Sequence, residues 1–238
     1  MQLNSKNVLN NFIGNKTASV SLIKSLNKSN CTGAWILRGP KGIGKAKLAE
    51  NIIKALLDIK NSSDTLMHPD LLVLKKISDE KKNIAVEEVR KVSVFLSKTS
   101  IKGSYRLVLI DALTDLNTFG HNALLKILEE HSLHTSFLII DHMVANIPST
   151  IKSRCKKIVF KKLNNDEIKA LLKRSDINKE HHDSYSILSN GSIGNIYNLH
   201  KNDALGIHKI YCEYVLGIDN RKNNLDSIHK LFQNKKKK

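Results

Sequence analysis

Residues 39–46 read Gly39-Pro40-Lys41-Gly42-Ile43-Gly44-Lys45-Ala46, or GPKGIGKA. This matches the pattern G-x-x-x-x-G-K-[ST] at every position but the last. The residue types have a physical logic. A glycine-rich turn between a strand and a helix lets backbone N–H groups close around phosphate oxygens, aided by the positive end of the helix. Lys45 would reach the terminal phosphates. The final hydroxyl of the pattern would hold Mg²⁺, and Ala46 supplies none. The flanks fit this reading. Trp35-Ile36-Leu37 is an apolar run that stops at Gly39-Pro40, as a buried strand does on entering a loop. Lys45 to Ile59 then reads as a helix with Leu48, Ile52, Ile53 and Leu56 facing inward.

Moving outward, Tyr105 to Asp111 (YRLVLID) is an apolar run that ends in a carboxylate, the pattern of a central parallel strand. A P-loop ATPase places its magnesium carboxylate at such a strand end. A Glu often follows that Asp to orient the attacking water, but here Ala112 follows. Two groups expected for metal-assisted hydrolysis are therefore missing. Asp115 is nearby in sequence but at the wrong spacing. Further strands are expected at Asp70 to Ile77, Ser136 to Ile140 and Lys157 to Phe160. Helices are expected at Val8 to Leu26 and Asn122 to Glu130, and along the face Val86, Val89, Val92 and Leu96. Strands alternating with helices predict an α/β core over residues 1–160, a parallel sheet flanked by helices. Residues 161–200 read as short helices alone, a small lid. Residues 201–238 hold room for two more, around Ala204 to Val215 and Leu225 to Phe232, too little for an independent core.

Composition bounds the function. The 238 residues carry 39 Lys and Arg against 22 Asp and Glu, a net charge of +17. The Lys235 to Lys238 tail accounts for only four of these charges, so the body is basic as well. Such an excess attracts polyanions, nucleic acid above all. Heavy use of Lys, Asn and Ile, as in AT-rich coding sequence, explains the same charge as a solvated surface. Aromatics make up 5% and do not interleave with the basic runs, so a stacking platform for bases is not expected. A hydrophobic fraction of 41% supports a real core. No apolar run is long enough for a membrane span, and the polar N-terminus lacks the apolar core of a secretory signal. Cys31, Cys155 and Cys212 lack paired spacing, which fits a reducing cytoplasm. His181 and His182 are adjacent, the wrong spacing for two ligands on one helix face. His142, after the SFLII strand, is a candidate for a polar role beside the phosphates.

Several segments together carry a resemblance. They are Phe12-Ile13-Gly14, Ala34-Trp35-Ile36-Leu37 before GPKGIGK, His68-Pro69-Asp70-Leu71 and Val86-Glu87-Glu88-Val89-Arg90. Then follow Leu109-Ile110-Asp111, Asn122-Ala123-Leu124-Leu125-Lys126 with Leu128-Glu129-Glu130, and Pro148-Ser149-Thr150-Ile151-Lys152-Ser153-Arg154-Cys155. In this order, over roughly residues 8–200, the chain resembles the delta-prime subunits of bacterial DNA polymerase III clamp loaders, within the AAA+ proteins. The resemblance implies that Arg154, in the Ser-Arg-Cys motif, is an arginine finger offered to a neighbouring subunit's ATP. It implies a degenerate nucleotide site of Gly39, Lys41, Gly42, Gly44, Lys45 and Asp111. It implies no required cofactor, with vestigial ATP or ADP binding at most. The implied partners are the motor (gamma/tau) and delta subunits, with the sliding clamp and primed DNA reached through the complex.

The departures are informative. Gly191-Ser192-Ile193-Gly194 resembles the start of the third lid helix, where hydrolysing relatives carry a phosphate-sensing Arg. Asn195 stands there instead. Many relatives carry a four-Cys zinc module before His68, where this chain has Asn61-Ser62-Ser63-Asp64, so no metal is expected. The family's helical collar domain of about a hundred residues is expected to be reduced or absent. These features favour a non-hydrolysing replication subunit of the polymerase holoenzyme, a nucleotidyltransferase. The alternatives are an active ATPase motor subunit, or a nonspecific DNA-binding protein that rests on net charge.

Overall fold

The computed structural model describes residues 2–59, 68–76, 83–98, 100, 105–130, 134–144 and 146–208. Among them, β1 (Gly33–Arg38), β2 (Leu71–Lys75), β3 (Arg106–Asp111), β4 (Thr135–Asp141) and β5 (Lys156–Val159) form one sheet. The strands are all parallel, in the order β2-β3-β4-β1-β5. β4 is thus inserted between β1 and β3. The expected strands are all present, shifted by a residue or two at their ends.

Alternation along the central strands explains why the middles of β1, β3 and β4 are apolar at successive positions. In β1, Trp35 and Leu37 join one apolar cluster, and Ala34 and Ile36 join the other. Leu107 and Leu109 of β3 likewise face one side, Val108 and Ile110 the opposite side. Side chains at i and i+2 share a face, so a strand covered on both sides must be apolar at every position. Helix α3 (Lys45–Leu57) covers the first face with Leu48, Ile52, Ile53 and Leu56. Helices α4 (Val86–Ser97), α5 (Thr118–Glu130) and α6 (Ser149–Arg154) cover the second. On α4, Val89 and Val92 are fully buried, as the sequence periodicity requires.

The N-terminal segment departs from expectation. In place of one helix from Val8 to Leu26 there are two, α1 (Ser5–Val8) and α2 (Lys16–Lys28). The break holds three left-handed residues: Asn11, Gly14 and Asn15, at φ of 63°, 94° and 49°. A Cβ on Gly14 would lie 2.3 Å from the Leu163 side chain, so only glycine fits there. Asn15 is held from far along the chain. Its Nδ2 donates to the Lys161 carbonyl at 2.8 Å, its Oδ1 accepts from the Lys161 N–H at 2.7 Å, and its own N–H donates to Glu167. These long-range bonds outweigh local helix propensity.

Residues 161–201 carry α7 (Asn165–Leu172), α8 (His182–Leu188) and α9 (Ile193–Lys201), with a short 3₁₀ turn at Lys179–His181. Helix α7 opens with a capping box between Asn164 and Glu167, which satisfies two of its free donors. Leu163, Ile168, Leu172, Tyr185 and Ile196 belong to the same apolar cluster as Trp35 and Leu37, so the first face of the sheet continues into the lid helices. Residues 204–208 are helical. The expected collar remnant beyond them, Cys212, and the Asn61–Asp64 segment lie outside the described residues.

Candidate functional site

Parallel register brings three strand ends together. Arg38 pairs with Asp141, and Asp111 with Ile140, so the loop after β1 opens beside the carboxyl ends of β3 and β4. Ligands of open α/β sheets bind at such an edge. A cavity of about 530 Å³ there is lined by Lys41, Gly42, Gly44, Lys45, Ala46, Asp111 and His142 from the core. From the lid it is lined by Gly194, Asn195, Tyr197 and Asn198. Gly39, at the loop entrance, contributes a carbonyl rather than a wall.

Lys45 is only 3% exposed. Its ammonium donates to the carbonyls of Gly39 at 2.7 Å and Pro40 at 2.5 Å. Burial lowers its pKa to about 8, against the opposing pull of Asp141 and Asp111. A phosphate entering the loop would exchange two carbonyl contacts for a charged partner. His142 lies with Nε2 4.0 Å from Asp111 Oδ1. Its pKa is held below the usual histidine value, first by burial and then by Lys45, with Asp111 opposing. At neutral pH it is an uncharged polar group beside the phosphate position. Asp141 is fully buried and sits 3.3 Å from Arg38. Asp141 lies outside the sequence-predicted site residues, although Thr135–Asp141 ends an apolar run in a carboxylate just as the strand ending in Asp111 does.

The lid closes directly on the loop. Gly194 N–H donates to the Gly42 carbonyl at 2.9 Å, and Ser192 Oγ donates to the Lys41 carbonyl at 3.0 Å. Gly42 has a φ of 79°, and a Cβ there would meet Ser192 Oγ at 2.3 Å and Gly194 Cα at 2.9 Å. Glycine is thus required by conformation and by contact together. Asn195, which the resemblance aligns with the sensing Arg of hydrolysing relatives, lines the cavity but turns its amide back to donate to the Ser189 carbonyl at 3.2 Å.

These residues fit phosphates better than a metal. The loop, Lys41 and Lys45 supply anion contacts. Of the groups that would hold Mg²⁺, Asp111 is present and the hydroxyl at position 46 is not. Ala112 is buried, and Asp115 is spent on an ion pair with Lys76 at 2.9 Å. No group of three or more potential His, Cys, Asp or Glu metal ligands occurs among the described residues.

Arg154 is elsewhere. It ends α6, two positions before Lys156, which pairs with Trp35. It therefore sits at the amino end of the sheet. The loop leaves β1 from the opposite end, at Gly39, about 13 Å beyond Trp35 at ~3.3 Å per residue. Its Nη2 meets Glu129 Oε1 at 2.6 Å, and its Nη1 donates to the Thr150 carbonyl at 3.0 Å. Neighbouring Cys155 is buried and burial pushes its thiol up to about 12, which leaves no thiolate for nucleophilic work at neutral pH. His182 binds the Ile177 carbonyl at 2.9 Å and His181 packs edge-on to Tyr185.

A family model described as "DNA polymerase III, delta subunit" matches residues 14–164. Pseudomonas aeruginosa DNA polymerase III subunit delta' is 36% identical over 135 residues, covering 51% of this chain and 41% of that protein. A Buchnera aphidicola DNA polymerase III subunit gamma is 29% identical over 172 residues, covering 68% of this chain and 47% of that protein. The chain thus spans less than half the length of these relatives. Among solved structures, a DNA polymerase III gamma subunit-related protein from Thermotoga maritima superposes with a TM-score of 0.56 at 16% identity. It covers 81% of this chain and 62% of its own. A RuvB mutant from the same organism gives 0.55 at 16%, covering 95% and 71%. The fold is the P-loop AAA+ type. No helix among the described residues is long and apolar enough to cross a membrane.

Proposed function

Because this chain belongs to the family described as DNA polymerase III, delta subunit, we propose that it is a clamp-loader subunit of the delta-prime type. In this reading it does not hydrolyse ATP itself but lends Arg154 to ATP held by a neighbouring subunit. The observation that carries the reading is the position of Arg154. It stands on an exposed helix end at the sheet edge opposite its own P-loop. A guanidinium so placed serves a phosphate on another molecule. It is permanently charged and its planar fork suits phosphate oxygens. In trans such a group stabilises the charge of phosphoryl transfer.

The P-loop supports the other half of the reading. Ala46, Ala112 and Asn195 stand where hydroxyl, carboxylate and sensing cation are needed for turnover. Lys41, Lys45 and the backbone cradle remain, which suits retained ATP or ADP without hydrolysis. The proposed partners are gamma/tau-type motor subunits and a delta subunit, with the sliding clamp and primed DNA engaged through the assembly. Zinc has no place in this reading.

The test is a reconstituted loader that carries Arg154→Ala, assayed for DNA-stimulated phosphate release beside the purified chain alone. Loss of turnover in the complex, with none from the isolated chain, is the expected result. Turnover by the isolated chain would favour a motor subunit. Unchanged turnover in the complex would remove the finger assignment.

A further inference from the structure

Helix α5 ends against the rule for helix electrostatics. Its last two residues are Glu129 and Glu130, and no cation lies in its last turn. Carboxylates at a helix C-terminus face the negative end of the macrodipole and are destabilising there. Glu129 finds its compensation outside the helix. Its Oε1 lies 2.6 Å from Nη2 of Arg154, a charge-assisted contact. The other arm of the same guanidinium donates back into α6, to the Thr150 carbonyl at 3.0 Å and to Ser153 Oγ at 3.3 Å. Both terminal nitrogens that a phosphate would use in a bidentate grip are thus engaged within the chain.

We propose that Glu129 is a clasp for Arg154, holding the guanidinium at rest and giving it up when a neighbouring subunit's phosphate arrives. This rests on the reading of Arg154 as a finger used in trans. The side chains of Arg154 and Glu129 are 37% and 44% exposed. A pair this wet is worth no more than about a fivefold factor in an equilibrium. That is enough to quiet a guanidinium in the unassembled chain, and little enough for a polyphosphate with several negative charges to displace it. The clasp neutralises Arg154 until an anion of higher charge competes. Glu129 is a positioning residue: it acts through Arg154 and touches no nucleotide itself.

The consequence is directional. Glu129→Gln keeps the size and polarity of the side chain but removes the charge, so it should release Arg154. Two measurements check this. In the isolated chain, phenylglyoxal modification of Arg154, followed by mass spectrometry, should run two- to fivefold faster in E129Q than in the parent, while the far-UV circular dichroism is unchanged. In the reconstituted loader, E129Q should raise kcat for DNA-stimulated ATP hydrolysis by up to about fivefold without changing KM, and the ratio to parent should shrink as salt screens the clasp. Glu129→Asp, which keeps the charge, should return both readouts towards the parent. An E129Q loader with unchanged or lower kcat, or equal modification rates, would overturn the clasp. Arg154→Ala in the same assay separates the two claims. If it has no effect the finger reading fails, whereas if it abolishes turnover and E129Q does nothing, only the clasp fails.

Discussion

The two ends of the sheet each hold a cation suited to phosphate, an ammonium at one and a guanidinium at the other, in opposite circumstances. At the carboxyl end Lys45 is buried, folded onto two carbonyls of its own loop and lowered to a pKa of about 8. At the amino end Arg154 lies at the surface on the last residue of α6, clasped by one exposed carboxylate. The first cation can serve only a ligand that enters this chain, in a pocket that keeps Asp111 but has Ala46 in place of a hydroxyl. In the function proposed above, the second serves a ligand held by a neighbouring subunit.

The contrast breaks most sharply at Arg154. Arg154→Ala should lower turnover at the neighbouring motor site by about 10³-fold. An exposed ion pair adds little stability, so the melting midpoint of the isolated chain should stay within ~2 °C. Differential scanning fluorimetry beside the ATPase assay checks both halves.

Lys45 comes next, and its effect depends on pH. Its folded pKa of about 8 lies below the ordinary 10.5 of a lysine. Between these values the unfolded chain holds a proton that the folded chain releases. Its contribution to stability therefore rises with pH from about 8 to 10.5, and the cost of burying the charge is felt in full below 8. Lys45→Met removes that cost. At pH 7 it should stabilise the chain by up to about 3 kcal/mol, and the gap should close as pH rises. Urea denaturation at pH 7 and 9.5 measures it, and a gap that widened with pH would refute the assignment. Phosphate binding by the same variant should weaken, which sets ligand capacity against stability at one residue.

Smaller effects probe how the lid is joined to the loop. Gly42→Ala should cost about 2 kcal/mol or more, because its φ is left-handed and its Cβ would strike Ser192 and Gly194. Ser192→Ala removes both the bond to Lys41 and the cap on Asn195 N–H, and should cost about 1 kcal/mol. In a denaturant series the two changes should combine less than additively, since they act on one contact.

Much of this was legible in the chain itself. Strands buried on both faces must be apolar throughout, so Trp35 to Leu37, Tyr105 to Asp111 and Ser136 to Ile140 announced a parallel sheet. GPKGIGKA between strand and helix announced the loop, and Ala46 and Ala112 its deficits. The split between α1 and α2 was not legible. The periodicity of Phe12, Val20 and Ile23 favours one helix, and the bonds that break it come from Lys161 and Glu167, 146 and 152 positions from Asn15. Nor was the ion pair of Glu129 with Arg154. A glutamate in a Leu-Glu-Glu run looks like a solvated helix end until α6 brings Arg154 beside it.

The sequence by itself determined the strand–loop–helix unit, the glycines and lysines of the loop, and the alanines at positions 46 and 112. These follow from short-range patterns of polarity and residue type. Only the tertiary structure decided which cation is buried and which lies at the surface, how the lid meets the loop, and that Arg154 pairs with Glu129. Those depend on where parallel register places residues far apart in the chain, and local sequence carries no record of that.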